Sequence, residues 1–317
     1  MSYVTPYISP QVQSSWGEET TYKTRATNIN QFVRILDQEI PLPEVETEVV
    51  HAPGGGRKPH YVNDYKKWNM EGSMSLEIFK GEFLGAVLGT VVTTGSDPYT
   101  HTYTVTDLQL PSFSMQHALK KSGTDSLIFE FLGCKVSQCN LKMSEENEKL
   151  IADINYLPTI VQDGGTTYET VTPVTSEPFI FKKGSFSSTS LYAGAKARVH
   201  DFELGINNNL KPNYASGYNY YPYDIVEGKT LFDDMKVTIG LEDDTEWDEL
   251  IGDPGTSHDF SYVFTRGAND TLTISGSAKM KSMPLDIGEN DIRATLTLVP
   301  STVTIVIVDS NATYAFE

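Results

Sequence analysis

Apolar and polar residues alternate with a period of two in segment after segment of this chain, and that period leaves few choices of fold. In "PYTHTYTV", residues 98–105, Tyr99, His101, Tyr103 and Val105 fall on one side and Thr100, Thr102 and Thr104 on the other, as in a strand of β-favouring residues. "LIADINYLP" groups Leu150, Ala152, Ile154 and Tyr156, and "HDFELGIN" groups Phe202, Leu204 and Ile206. "DTLTISGSAKMK" alternates in the same way, and "IRATLTLV" puts Ile292, Ala294, Leu296 and Leu298 on one face. The run "TVTIVIV" at 302–308 is apolar on both alternations, which predicts a strand buried on both faces, and it is too short to cross a bilayer. Gly, Asn, Asp and Pro mark the turns. The fold class is mainly β.

Two short stretches change period. In "GEFLGAVLG" the pairs Phe83/Val87 and Leu84/Leu88 are four apart and Gly89 sits where a helix stops. In "DDTEWDELIG" Trp247, Leu250 and Ile251 have helical spacing, Asp243 with Glu246 has capping-box form, and Gly252 closes the segment. Their settings match: Glu71-Gly72, a strand, the helix ending at Gly89, then the strand of His101; and Glu227-Gly228, a strand, the helix ending at Gly252, then "HDFSYVF" from His258. The spacings differ, so the repeat is weak by sequence. It is read as a tandem duplication of a β domain, residues 1–165 and 166–317, joined through the Thr-, Gly- and Pro-rich stretch 159–179. One extended sandwich that uses two helices is the other arrangement consistent with it. A long loop at 38–67, rich in Pro and Gly, stands out, because excursions of that length are usually functional or disordered. Within it "EVETEVV" suits a hairpin arm reaching a neighbour.

Chemistry is hard to find in the residues. The net charge of −18 is spread over both halves, 13 basic against 19 acidic groups in 1–160 and 11 against 23 in 161–317, which argues against a phosphate-rich partner. A basic patch around Arg57, Lys58, Lys66 and Lys67 reads as a solvated loop. "PGGGRKP" lacks P-loop spacing. The acidic cluster Asp243, Asp244, Glu246, Asp248 and Glu249 suits a first helical turn as well as a hard cation. The six histidines have no ligand spacing; His101 and His117 fall on strands predicted to be adjacent, where a hydrogen-bonded histidine is commoner than a ligand. Cys134 and Cys139 are five apart, which points them to opposite faces of a regular strand, so a disulfide requires a bulge or a turn; they read as buried thiols. No catalytic residue, metal ligand or cofactor site emerges. No signal sequence or membrane-spanning segment is expected, and "NYASGYNYYPY" at 213–223 reads as a loop that contacts protein or sugar.

Taken in order, "EGSMSLEIFKGEFLGAVLGT", "PYTHTYTV", "LPSFSMQHAL", "FLGCKVSQCNLKM" and "LIADINYLP", then "VHDFELGINNNL", "YDIVEGKT" and the strand-helix unit ending at Gly252, the sequence resembles tail tube proteins of long-tailed bacteriophages and archaeal tailed viruses. The resemblance covers most of 65–300. It implies a tail-tube-type β-sandwich or barrel with short flanking helices, in the virion tail and made in the host cytoplasm. It further implies self-association as hexameric rings, or trimeric pseudo-hexameric ones if the domain is duplicated, stacked into a tube with other tail proteins. DNA is then a partner only in transit, no membrane is entered, and no enzyme activity is expected. Contact candidates between subunits or rings are Glu44, Glu46, Glu48, Arg57, Lys58 and Tyr61 in the long loop and Tyr218, Tyr220 and Tyr221 in the tyrosine loop. The rival class is a carbohydrate-binding β-sandwich using that tyrosine loop.

Overall fold

Strands run in antiparallel ladders through both halves of the chain. The computed structural model describes residues 11–45, 48–50, 61–63, 68–121, 124–146, 148–164, 168–173, 175–188, 192–216, 220–241, 257–287 and 292–316. In chain order the first half contributes β1 (Gln11–Glu18), β2 (Gln31–Phe32), β3 (Ile35–Glu39), β4 (Glu44–Val45), β5 (Glu48–Val50), β6 (Tyr61–Asn63), β7 (Trp68–Asn69), β8 (Gly72–Glu77), helix α1 (Glu82–Leu88), β9 (Gly89–Gly95), β10 (Tyr99–Val105), β11 (Phe113–Lys121), β12 (Thr124–Ser144), β13 (Ile151–Leu157) and β14 (Ile160–Asp163). The second half contributes β15 (Gly184–Ser188), β16 (Tyr192–Asn207), β17 (Lys211–Asn213), β18 (Asp224–Val226), β19 (Leu231–Phe232), β20 (Met235–Leu241), β21 (Ser257–Gly267), β22 (Asp270–Ser282), β23 (Leu285–Ile287) and β24 (Ile292–Asp309).

The pairing order is the same in the two halves. In the first, neighbours run β1–β11–β12–β13–β8–β3, and β1 also pairs with β2 just ahead of β3. In the second they run β15–β21–β22–β24–β20–β16, and β15 also pairs with the start of β16. Bulges recur at matching places: between Ile35 and Asp37 as between Val199 and Asp201, and between Val136 and Gln138 as between Met280 and Ser282. By this order the place of β21, where His258 lies, is taken in the first half by β11, not by the strand of His101. Two ladders join the halves: Gln138–Ser144 of β12 pairs with Asp201–Asn207 of β16, and Tyr99–Tyr103 of β10 with Ile305–Asp309 of β24.

The period-two faces form the core. Leu150, Ala152, Ile154 and Tyr156 are buried, as are Phe202, Leu204 and Ile206, while Ile292 at the start of β24 is exposed although Ala294, Leu296 and Leu298 are not. The run at 302–308 differs from expectation. Val303, Ile305 and Ile307 lie in the core, but Thr304, Val306 and Val308 on the other face of β24 are only half-buried. The helix over "GEFLGAVLG" forms as α1; all its residues but Glu82 are buried, and Gly89 ends it at φ 91°, a left-handed conformation that glycine adopts without a Cβ penalty. The second expected helix lies outside the described residues.

The bulge beside Ser137 changes the parity of β12, so Cys134 and Val136 before it and Cys139, Leu141 and Met143 after it all face the core. Both cysteines are free and buried. Burial pushes Cys139 up to about 12 and Cys134 in the same direction, which removes thiolate reactivity.

His117 is not beside His101. β11 pairs with β1 and β12, whereas β10 pairs with β9 and β24, so the sequence-adjacent strands are not ladder neighbours. Ser14 donates its hydroxyl to Gln38 Oε1 and lies 2.7 Å from His117 Nδ1, and Tyr156 Oη lies 3.0 Å from Nε2. A neutral imidazole protonated at Nδ1 satisfies this network, and burial depresses the pKa to about 4 from an ordinary 6.5. The folded value lies below the unfolded one, so the histidine's contribution is complete above pH 6.5 and is lost as pH falls from there through about 4. The loss is about 3 kcal/mol. Urea unfolding at pH 7.5 and 4.5 measures it: His117→Gln is expected to flatten this acid dependence, and equal pH dependence in both proteins contradicts the assignment.

Candidate assembly surfaces

An arm, an aromatic clamp and a polar sheet face are the surfaces this fold presents. The arm is a two-stranded ribbon: β4 pairs with β7 (Glu44↔Asn69, Val45↔Trp68) and β5 with β6 (Glu48↔Asn63, Val49↔Val62, Val50↔Tyr61). "EVETEVV" therefore does not fold on itself as a hairpin. Its described residues, Glu44, Val45 and Glu48–Val50, pair with Trp68–Asn69 and Tyr61–Asn63. The excursion begins later than expected, since Gln38 and Glu39 still belong to β3.

The second half of the chain grips the base of this arm. Trp68 stacks on Tyr220 with ring centroids 5.7 Å apart, meets Tyr221 edge-on at 4.8 Å, and donates its backbone N–H to Tyr220 O at 3.1 Å. Tyr214 donates its hydroxyl to Trp68 O at 2.9 Å, and Tyr221 donates to Val161 O at 3.3 Å. Trp68 went unrecognised in the sequence; its position at the foot of the long excursion, in "KKWNM", was the available signal. One face of Tyr220 is taken by Trp68, and the side chain stays half-exposed.

The contact candidates divide accordingly. Tyr220 and Tyr221 come together on Trp68, and Tyr220 is half-exposed. Glu44, Glu48 and Tyr61 take their places in the arm's backbone ladder. Glu46, Arg57, Lys58 and Tyr218, like the acidic cluster 243–249 and Lys66 and Lys67, lie outside the described residues.

The outward face of β8, β13, β12, β16 and β20 is polar and continuous across the join between halves. Ser75 donates to Asp153 at 2.5 Å, Asn140 to Glu203 at 2.8 Å and Lys236 to Glu203 at 3.3 Å, and Lys142 pairs with Asp153. Asp153 and Glu203 on this face are met by neighbours within the sheet. Elsewhere the buried polar groups are structural. Glu19 accepts from Ser112 Oγ, Ser114 Oγ and the Gly133 N–H at 2.7–2.8 Å, and His101 lies between Thr93 Oγ1 at 2.6 Å and Asn311 O at 3.0 Å with Asp309 nearby. Among the described residues no three His, Cys, Asp or Glu side chains group as metal ligands, and no helix is long and apolar enough to cross a membrane.

The described residues define a mainly-β chain with a two-stranded ribbon and strand ladders that run through both its halves. The particular family follows from comparison: the chain matches the phage tail tube protein family over residues 9–300 and belongs to it. No curated protein matches. It is a structural protein of the phage tail tube, located in the virion tail, where it associates with copies of itself and with other tail proteins.

Proposed function

We propose that three copies form a pseudo-hexameric ring, each supplying two copies of one β unit, and that rings stack into the conduit through which the genome passes. The observation that carries this reading is the shared pairing order with its shared bulges, which supports a tandem duplication at about residue 165. The polar face shared by β8, β13, β12, β16 and β20 suits a lumen wall: Ser75 with Asp153 and Asn140 with Glu203 hydrogen-bond along it, and the −18 charge of the chain keeps phosphate from adhering. The protein acts without catalysis.

In this reading the arm reaches a neighbouring subunit or ring, with Glu44, Glu46, Glu48, Arg57, Lys58 and Tyr61 as its contacts and Tyr218, Tyr220 and Tyr221 at its base. Replacing residues 48–63 with a two-residue Asn-Gly turn is expected to leave a folded chain by circular dichroism and no tubes in electron micrographs of concentrated protein. Tubes that still form from the shortened chain remove the arm from assembly. A monomer that binds immobilised glycans and never forms rings favours the carbohydrate-binding alternative.

A further inference from the structure

The join between the two halves within one chain is a template for the join between chains. Superposing the ladders by their bulges makes Val136 equivalent to Met280 and Gln138 to Ser282, so Leu141 corresponds to Leu285 and Met143 to Ile287. The partners agree, since Leu141 pairs with Ala152 as Leu285 pairs with Ala294. On the other side Val199 corresponds to Ile35, Glu203 to Glu39, Leu204 to Ile40 and Ile206 to Leu42. In the chain, β12 pairs with β16 and the side chains at that seam are sealed: Leu141 is 1% exposed and Met143 2%. Their counterparts lie open, Leu285 at 39% and Ile287 at 73%, and Leu42 on the opposite edge is 49% exposed. Among the described residues β23 pairs with β24 alone and β3 with β8 alone, so each offers an edge there.

We infer that residues 282–287 of one copy pair antiparallel with residues 38–43 of a second copy, in the register of the β12–β16 seam. This places Leu285 opposite Ile40, Asp286 opposite Glu39 and Ile287 opposite Gln38. The occupant is a second copy because the complementary edge is present in the same chain, and because the contact is head-to-tail, which closes a ring when the rotation allows. Pro284 falls opposite Pro41 and neither has an N–H, so the seam is held by side-chain contact and flanking bonds, and prolines there blunt pairing with unrelated edges. Asp286 and Glu39 meet as like charges, with Arg293 the ladder partner of Asp286 beside them.

This inference rests on the ring reading and is tested apart from it. A chain carrying Leu285→Cys and Ile40→Cys is assembled under reducing conditions, imaged, then oxidised and run on a denaturing gel. The buried Cys134 and Cys139 do not interfere. Chains linked one to the next are expected, with none from Leu285→Cys and Glu39→Cys, whose side chains point to opposite faces. In parallel, Ile287→Asp, at a position exposed in the monomer, is expected to leave folding unchanged and raise the concentration needed for ring formation about tenfold or more. Absence of rings from the unaltered chain contradicts the ring reading itself. Rings that do not cross-link at 285 and 40, or Ile287→Asp chains that assemble as readily as the unaltered protein, overturn the seam.

Discussion

Replacing Trp16 with alanine is expected to lower the unfolding free energy by about 4 kcal/mol, the largest effect of any single side chain in the first half. Trp16 is fully buried in β1 and ties the β1–β11 ladder to α1 and to the C-terminal segment. Its indole stacks on Phe316 at 5.4 Å and 7°, and it meets Phe83 of α1 edge-on at 5.4 Å and Phe113 of β11 edge-on at 6.4 Å. Removing it leaves a cavity that helix, strand and C-terminal segment cannot fill together, since each is held elsewhere: α1 by the Gly89 cap and the C-terminal segment by the Phe316 N–H on Glu18 at 2.9 Å. Trp16→Phe keeps part of the stack and is expected to cost about half as much. Urea denaturation followed by circular dichroism measures both; a loss below about 1 kcal/mol for the alanine variant contradicts this packing.

Arg266→Ala carries the second largest expected loss, about 3 kcal/mol. The guanidinium holds Asp270 by two bonds of 2.7 and 2.9 Å across the β21–β22 turn, donates to Phe79 O at 2.7 Å and to Glu177 O, and lies over the Phe179 ring at 4.6 Å. It thus ties the turn of the second half to backbone in the first, and its removal leaves carbonyls and a carboxylate without their donor. Arg266→Lys keeps the charge and loses the two-pronged geometry, so it is expected to recover less than half of the loss. Full recovery by lysine indicates that charge alone matters at this position.

Faces were legible in the sequence and neighbours were not. Period two identified the core side of β13 and β16 residue by residue, because alternation is a local consequence of the pleat. Four-residue spacing with a terminal glycine identified α1 for an equally local reason. The orientation of Cys139 was missed because a bulge is an extra residue in a ladder and leaves no mark in composition. The separation of His101 from His117 was missed because the hairpin β9–β10 joins β24, some 200 residues away, and nothing local encodes that choice. Tyr220 and Tyr221 were found by their clustering, while Trp68, which organises them, needed the fold. The proposed duplication was faint in the sequence because what the halves share is pairing order and bulge position, not side chains: Gly72 takes the place of Met235, and Phe113 that of His258.

The ring itself is the most direct test of the proposed assembly. Averaged end-on electron micrographs of single rings, with the chain count fixed by native mass spectrometry, are predicted to show six similar lobes arranged with threefold symmetry from three chains. Six lobes from six chains would contradict the proposal that each chain supplies two units of the tube wall, and twelve lobes from six chains would contradict the ring of three.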